Sequence, residues 1–253
     1  MSGRLNGMHR SWVSPSVART ARGIGQTQMN VLPERQVLAG RVFVTGGTGY
    51  IGSRLIPLLL QRGHAVTALV RPASAHKLPT GCDLVVGEAL RQGAYVDALC
   101  GVDTLVHLIG VAHPSPAKSA QFQSIDRVSV QVALHAARIA GVRHLIYLSV
   151  AQPAPMMSVY VAVRAECEAA IRNSGIAATF VRPWYVLGPG HRWPYVLWPF
   201  YWIGERLAAT RQSARRLGLV TMPQMLSALV QAVEHPPAGV RVIDVPGIRR
   251  AAI

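Results

Sequence analysis

Three glycines spaced three residues apart are the clearest candidates for chemistry in this sequence. Gly46, Gly49 and Gly52 follow the β-branched run at 41–45 and precede an apolar helical period at 55–60. In a strand–turn–helix unit the first glycine permits a tight turn, the second lets backbone N–H groups approach a diphosphate, and the third lets helix and strand pack closely. The loop also contains Thr48, Tyr50 and Ile51. The motif in this context predicts a dinucleotide site, and the alternative is a tight turn without a ligand.

The end of the next strand indicates which dinucleotide is bound. NAD-selective folds place an acid there, about 20 residues after the first glycine, to accept from the ribose 2′-OH. Here no acid lies between Arg62 and Asp83, and Arg71 follows Val70 directly. A guanidinium can hold a 2′-phosphate through two parallel hydrogen bonds, so we predict NADP(H) rather than NAD(H). The alternative for Arg71 is an ordinary solvated charge.

Alternating strands and helices position these residues. The pattern predicts a parallel, doubly wound α/β sheet of the Rossmann type. We predict strands at Arg41–Thr45, Ala65–Val70, Asp83–Val86, Asp103–Ile109, His144–Val150 and Ala177–Val181. We predict helices at Gln92–Cys100, Ala120–Ala140 and Val159–Asn173, besides the one after the glycine loop.

The chain divides into three parts. Residues 1–39 are predicted to be a disordered extension, 40–183 the dinucleotide-binding domain, and 184–253 a small lobe packed on the sheet. Within the lobe we predict helices at Tyr195–Ala208 and Thr221–Glu234 and a last strand at Val240–Val245. Residues 1–39 contain arginine and serine but no acid before Glu34, so a mitochondrial transit peptide is the alternative.

Charge and cysteine content exclude several functions. The net charge is +15, from 26 Lys+Arg against 11 Asp+Glu. This excess is attributed to scattered arginines, because the sequence has no dense basic run with interleaved aromatics, so no nucleic-acid partner is predicted. Cys82, Cys100 and Cys167 form no metal-ligand spacing, and no metal is predicted. No apolar stretch is long enough to span a bilayer. We predict a cytoplasmic protein, with peripheral attachment to a membrane as the alternative.

Several segments in order resemble one enzyme family. They are Thr45–Gly52, Val106–Gly110, Tyr147–Ser149, Tyr160–Arg164 and Arg182-Pro183. Residues 40–235 are similar to the extended and atypical short-chain dehydrogenase/reductases, in the NAD-dependent epimerase/dehydratase-like group. The greatest similarity is to its NmrA-like and complex-I-accessory-subunit-like branch. The resemblance implies that Leu108, Gly110, Arg164 and Pro183 also contact the cofactor.

The same resemblance suggests catalytic residues. In that family a Tyr-xxx-Lys pair works with a serine, which implies Tyr160 as the acid/base and Ser149 as a hydrogen-bond partner of the substrate. Arg164 stands where the family has lysine. An arginine one turn from Tyr160 is predicted to lower the pKa of the phenol, but it keeps its own proton and cannot relay one. Asp126 stands where relatives often carry an asparagine that supports the site. The alternative is that Tyr160 and Arg164 only pack near the cofactor.

The loop after the sixth strand is a candidate substrate site. It lies at the carboxyl end of the sheet, and His191, Arg192 and Trp193 are candidates for contacting an anionic or carbonyl-bearing ligand. The aromatic-rich stretch 193–202 has three interpretations: lobe packing, a pocket for a quinone, steroid or prenyl compound, or a helix at a membrane surface.

Two functional hypotheses follow. The first is an NADP(H)-dependent oxidoreductase acting on a carbonyl or hydroxyl of an apolar small molecule, with an epimerase or dehydratase as a variant. The second is a non-catalytic NADP(H)-binding protein, either a redox sensor or an assembly or stability subunit of a larger, respiratory-type complex. Arg164 in place of lysine favours the second, and the retention of Tyr160 and Ser149 favours the first.

Overall fold

A parallel sheet runs through the computed structural model, which describes residues 39–112, 114–154, 156–190 and 216–251. Within these residues there are nine strands. The first six are β1 Arg41–Thr45, β2 Ala65–Val70, β3 Asp83–Val86, β4 Thr104–His107, β5 His144–Leu148 and β6 Ala177–Val181. The last three are β7 Tyr185–Leu187, β8 Leu219–Thr221 and β9 Val240–Ile243. Seven of them form one sheet in the order β3-β2-β1-β4-β5-β6-β9, in which every pair is parallel. The Rossmann-type prediction is confirmed.

Helices cover both faces of the sheet. The five α-helices used below are α1 Gly52–Gln61, α2 Val128–Ala140, α3 Ser158–Asn173, α4 Met222–Glu234 and α5 Val245–Arg250. Short 3-10 turns lie at Pro72–Lys77, Asp97–Leu99 and Pro116–Lys118. Alternate residues of a strand face opposite sides, so Val42 and Val44 pack with α1 and α4, while Phe43 packs with α2 and α3.

Local sequence explains where two of the helices begin or end. Thr221 caps α4, because its hydroxyl accepts from the Gln224 N–H at 3.4 Å and the Gln224 side chain accepts from the Thr221 N–H at 2.9 Å. Gly141 ends α2 in the left-handed conformation, with φ of 70°. Both helices therefore have the lengths that place their apolar faces on the sheet.

The structure corrects several predicted elements. Only the 3-10 turn at Asp97–Leu99 forms inside the predicted helix Gln92–Cys100. The helix predicted at Ala120–Ala140 is interrupted: Ser119–Gln121 leads into a π-helical turn, Phe122–Arg127, and then into α2. Strands β4 and β5 are shorter than predicted because the chain turns away after His107 and Leu148.

The last strand lies within the main sheet. Strand β9 pairs with β6 and forms one edge of the sheet, whereas β7 and β8 form a separate two-stranded sheet. Part of the segment predicted as an appended lobe therefore completes the Rossmann sheet. The predicted helix Tyr195–Ala208 lies outside the described residues. None of the helices in the described ranges is long and apolar enough to cross a bilayer.

Candidate active site

The glycine loop folds tightly on itself at the carboxyl end of β1. Gly46 has φ of 77°, which an L side chain rarely adopts, and its carbonyl accepts from the Gly49 N–H at 3.0 Å. A Cβ on Gly52 would collide with the Gly46 carbonyl oxygen and lie 2.7 Å from Gly47 Cα. Gly49 is exposed, and a Cβ there would meet only the Gly46 carbonyl oxygen, at 3.1 Å. The loop is therefore closed on its protein side and open on the side where the α1 N-terminus presents its N–H groups.

The loop lies where the strand order reverses. Strand β1 has β2 on one side and β4 on the other, so a crevice opens between the ends of β1 and β4. The predicted cofactor residue Leu108 lies in this crevice: its N–H donates to the Thr45 carbonyl at 3.1 Å, and its carbonyl carbon is 3.1 Å from the position of a Cβ on Gly46. Pro183 accepts from the Ala151 N–H at 2.9 Å, next to the end of β5.

Arg71 lies at the end of β2, as the sequence predicts. Its side chain is exposed and forms no ion pair with any described residue. Its backbone starts the 3-10 turn Pro72–Lys77, and its carbonyl accepts from the Ser74 N–H at 2.9 Å. The guanidinium is therefore available to an anionic group beside β2.

Arg164 is held inside the protein by three hydrogen-bond partners. Its Nη2 donates to Asp126 Oδ1 at 2.5 Å, and its Nη1 donates to the Leu148 carbonyl at 2.7 Å and to Tyr147 Oη at 3.1 Å. Arg164 is 4% exposed and Asp126 is fully buried. A Cβ on Gly110 would collide with Arg164 and lie 2.8 Å from Asp126 Oδ1, so this close approach requires the predicted cofactor residue Gly110 to be glycine.

Tyr160 lies beside this ion pair. The guanidinium carbon of Arg164 is 5.1 Å from the Tyr160 ring centre, and the Phe122 ring packs 4.9 Å away. Burial raises the pKa of the Tyr160 phenol, and the nearby charge of Arg164 only partly opposes that rise. The predicted lowering of this pKa is therefore wrong: Arg164 acts in the predicted direction but burial outweighs it.

Burial and neighbouring groups also determine the pKa values of Arg164 and Asp126. Burial lowers the pKa of Arg164, but Tyr147, Tyr160 and Asp126 hold it above its ordinary value. Burial raises the pKa of Asp126, against the influence of Arg164 and of the Val111 N–H, which donates to Asp126 Oδ1 at 3.3 Å. Arg164 thus stays a cation and cannot exchange protons with Tyr160.

Ser149 contacts a buried glutamate that the sequence analysis did not single out. Its hydroxyl donates to Glu168 Oε1 at 2.7 Å, and both residues are nearly inaccessible to solvent. Glu168 also accepts from Gln152 at 2.8 Å and from Arg182 Nε at 2.8 Å, and Arg182 Nη2 donates to its second oxygen. Because its proton is engaged by Glu168, the Ser149 hydroxyl can only accept a hydrogen bond from a substrate. Its predicted contact with substrate stays a prediction. Glu168 is four residues after Arg164 and therefore lies on the same helix face. This spacing is the feature of the sequence that could have indicated Glu168 as part of the site.

A buried histidine completes the polar interior. His107 Nδ1 lies 2.9 Å from the Thr45 hydroxyl, and its Nε2 lies 3.2 Å from Ser129 Oγ, which donates to the Asp126 carbonyl at 2.9 Å. Burial, aided by the charge of Arg164, lowers the pKa of His107 to about 3. The imidazole is therefore neutral at physiological pH, and it links β1 and β4 to Ser129 on α2.

The predicted substrate residues His191, Arg192 and Trp193, with the rest of the aromatic stretch to residue 202, lie outside the described residues. The described part of the site therefore brings together the glycine loop, Leu108, Gly110, Pro183, Tyr160 and Arg164 at the carboxyl edge of the sheet. This is the edge at which open α/β sheets bind ligands.

Comparison with known proteins identifies the family. A family described as NAD(P)H-binding matches residues 46–192. The chain belongs to this NAD(P)H-binding family. The matched segment begins at Gly46 and includes Leu108, Gly110, Tyr160 and Arg164. The resemblance to short-chain dehydrogenase/reductases is confirmed, because the related proteins below include reductases of that kind.

Curated relatives are reductases and dehydrogenases. The chain is 29% identical over 153 residues to a ceramide reductase of Caulobacter vibrioides, covering 60% of this chain and 48% of the relative. It is 35% identical over 118 residues to a 3-beta-hydroxysteroid dehydrogenase of Mycolicibacterium neoaurum, covering 43% of this chain and 31% of the relative. It is 28% identical over 170 residues to a 4-hydroxy-2-methyl-3-oxo-4-farnesyl-3,4-dihydroquinoline-1-oxide ketoreductase of Stigmatella aurantiaca, covering 58% of this chain and 51% of the relative. The chain thus spans about half the length of these relatives, or less.

Solved structures share the fold. MoeE5 in complex with UDP-glucose and NAD matches with a TM-score of 0.61 and 21% identity, covering 83% of this chain and 79% of that one. WbmG of Bordetella bronchiseptica, in complex with NAD and UDP, matches with a TM-score of 0.59 and 21% identity, covering 81% and 73%. At this level of identity the comparison shows a common Rossmann-type architecture.

The glycine loop suits the cofactor of this family. Its three glycines close the protein side by contacts that a side chain would break, while the face at Gly49 is open. The backbone can therefore approach a diphosphate there, as a bound dinucleotide requires.

Proposed function

We propose that the protein is an NADP(H)-dependent oxidoreductase that acts on the carbonyl or hydroxyl group of an apolar small molecule. The observation that carries the proposal is the position of Tyr160: it lies in the first turn of α3, which follows the carboxyl end of β5, and the buried Arg164 cation is 5.1 Å from its ring centre. Short-chain reductases need a proton donor at this place.

In this proposal the cofactor, when bound, supplies the hydride, and the protein supplies the proton. Tyr160 keeps its proton at neutral pH because burial raises the pKa of the phenol. It donates that proton to the carbonyl oxygen of the substrate, and the charge of Arg164 stabilises the phenolate that remains. Because Arg164 has no proton to give, Tyr160 must regain its own from solvent. These properties favour the reduction of a carbonyl over the oxidation of an alcohol.

Arg71 supports the choice of NADP(H). It lies at the end of β2 with its guanidinium exposed and without an ion-pair partner among the described residues. A guanidinium in this position can form charge-assisted hydrogen bonds with a ribose 2′-phosphate. It cannot form an ion pair with the uncharged 2′-OH of NAD(H). Replacing Arg71 with glutamine should weaken NADPH binding by about tenfold or more and change NADH binding little.

The names of the relatives support an apolar substrate. Ceramide, a 3-beta-hydroxysteroid and a farnesylated quinoline oxide are the compounds named for the three relatives above, and all are largely apolar. The aromatic stretch at 193–202 is the candidate lining of such a pocket.

A panel of apolar ketones, incubated with NADPH and the purified full chain, tests the proposal. We expect oxidation of NADPH with at least one ketone, and Tyr160→Phe should lower kcat by roughly 10²–10⁴-fold without changing the affinity for NADPH. If the wild-type protein binds NADPH but turns over none of the ketones, the enzymatic proposal is wrong.

A second candidate is a non-catalytic NADP(H)-binding protein, acting as a redox sensor or as a subunit of a larger complex. The observation that favours it is that two of the three predicted catalytic groups are engaged elsewhere: the Ser149 hydroxyl donates to Glu168, and Arg164 is paired with Asp126. It predicts NADPH binding without turnover and co-purification with a protein partner, and Tyr160→Phe should then leave every measured property unchanged.

A further inference from the structure

A positive side chain lies in the first turn of α1, directly behind the glycine loop. Arg54 is the third residue of this ten-residue helix, and no acid occurs in that turn. The helix N-terminus carries partial positive charge, and acids are the residues that stabilise it. A guanidinium there adds to the positive potential, and an anion held at the same place would offset it.

The guanidinium of Arg54 is held against Tyr50, which belongs to the glycine loop. Its Nη1 donates to the Tyr50 carbonyl at 2.7 Å, and its central carbon lies 4.6 Å from the centre of the Tyr50 ring. Tyr50 in turn lies between Gly49 and the first turn of α1, and a Cβ on Gly188, in the segment after β7, would collide with its hydroxyl. Both contacts therefore hold the Arg54 guanidinium against Tyr50, the residue that directly follows the exposed Gly49.

Arg54 also has donors to spare. A guanidinium carries five N–H donors, and a single hydrogen bond, to the Tyr50 carbonyl, is found for Arg54 in the described part of the chain. It forms no ion pair with any described acid. Among the described residues no acid pairs with this guanidinium, so it can pair with a bound anion.

We propose that Arg54 binds the diphosphate bridge of the dinucleotide, together with the N–H groups of the loop. The proposal rests on the cofactor binding proposed above and adds a residue that distinguishes two phosphate contacts: Arg54 for the diphosphate that NADPH and NADH share, and Arg71 for the 2′-phosphate that only NADPH has. Arg54 therefore sets the affinity for dinucleotides in general, and Arg71 sets the preference between them.

Calorimetric titration of the full chain with NADPH and with NADH tests the assignment. Arg54→Gln should weaken binding of both dinucleotides by the same factor, about tenfold, whereas Arg71→Gln should weaken NADPH alone. Arg62→Gln is the matched control, because Arg62 follows the opposite end of α1 and pairs with Glu234, and it should bind both dinucleotides like the wild type.

A charge reversal separates a ligand contact from a structural role. Arg54→Glu should abolish binding of both dinucleotides while leaving the melting temperature of the ligand-free protein unchanged or raised, because an acid is favourable at a helix N-terminus. If Arg54→Glu lowers that melting temperature by several degrees and Arg54→Gln binds both dinucleotides with wild-type affinity, Arg54 only braces Tyr50 and the inference is wrong. If the wild-type chain binds neither dinucleotide, the proposed function fails first and this inference fails with it.

Discussion

Arg164 Nη2 lies 2.5 Å from Asp126 Oδ1 in the interior of the protein, 38 residues apart in sequence. The pair joins three parts of the site, because Asp126 also accepts from the Val111 N–H and Arg164 also donates to the Leu148 carbonyl. The segment that follows β4, the end of β5 and helix α3 are thereby fixed relative to one another.

Removing one member of this pair should be strongly destabilising. Arg164→Met leaves the Asp126 carboxyl buried without its partner, and we expect the free energy of unfolding to fall by about 3–5 kcal/mol. Urea denaturation of Arg164→Met, of Asp126→Asn and of the double variant measures the coupling, and the double variant should lose much less than the sum of the two singles.

The matched control for that cycle is an exposed pair. Arg127 lies 3.8 Å from Glu166 with both side chains about half exposed, so Arg127→Met should cost at most about 1 kcal/mol. Equal losses for Arg127→Met and Arg164→Met would contradict the role assigned to the buried pair.

Ser149 should behave as a structural residue first. Ser149→Ala removes a buried hydroxyl that donates to Glu168 at 2.7 Å, and we expect it to lower the free energy of unfolding by about 1.5–3 kcal/mol. Its effect on kcat, measured with a ketone that the wild type reduces, should be much smaller than that of Tyr160→Phe. A fall in kcat as large as that of Tyr160→Phe, with unchanged stability, would instead assign Ser149 to the substrate.

Two buried histidines predict acid instability. Burial lowers the pKa of His107 to about 3 and that of His144, whose Nε2 lies 3.0 Å from the Thr179 hydroxyl, to about 4, against an ordinary value of 6.5. As the pH falls below about 6.5 the unfolded chain takes up these protons before the folded one does. The stabilisation is therefore complete above pH 6.5 and is lost on the way down to the folded-state values. Between pH 7.5 and 5 each histidine should contribute a loss of about 2 kcal/mol.

Urea denaturation at the two pH values measures this loss. His144→Gln should remove about half of the loss in free energy of unfolding that the two histidines cause together between pH 7.5 and 5. It should also lower the free energy of unfolding at pH 7.5. His135→Gln is the control, because His135 is exposed on α2, and its pH dependence should match the wild type. If His144→Gln and the wild type lose stability equally on acidification, His144 does not carry the effect.

Backbone-level features follow directly from the sequence, whereas side-chain partners do not. Strands β1, β2 and β6 begin and end where the apolar runs predict, because buried parallel strands need continuous apolar residues. The edge strand β3 also has its predicted bounds, although most of its residues are exposed. The glycine loop can also be predicted from local sequence, since the spacing of its glycines determines the turn. Spacing also places Tyr160 and Arg164 on one helix face, but nothing local indicates that the guanidinium turns inward to a carboxylate 38 residues away.

The same limit explains the error over Tyr160. The sequence reveals the neighbouring cation but not the depth of burial, and burial decides the direction of the pKa shift. Likewise Ser149 directly follows β5, which ends one residue earlier, yet the direction in which its hydroxyl points depends on Glu168, a contact across 19 residues. Tertiary contacts of this kind decide which groups remain available for chemistry.

Calorimetry with NADPH on wild type, Gly49→Ala and Gly239→Ala tests the central claim most directly, that the loop between β1 and α1 holds a dinucleotide. A Cβ at Gly49 meets only the Gly46 carbonyl oxygen and projects into the open face, while Gly239 has nothing within 4 Å. We predict one NADPH bound per chain by the wild type and by Gly239→Ala, and binding weakened at least about tenfold in a folded Gly49→Ala. Equal affinity in all three proteins, or no binding to the wild type at millimolar NADPH, would contradict the claim.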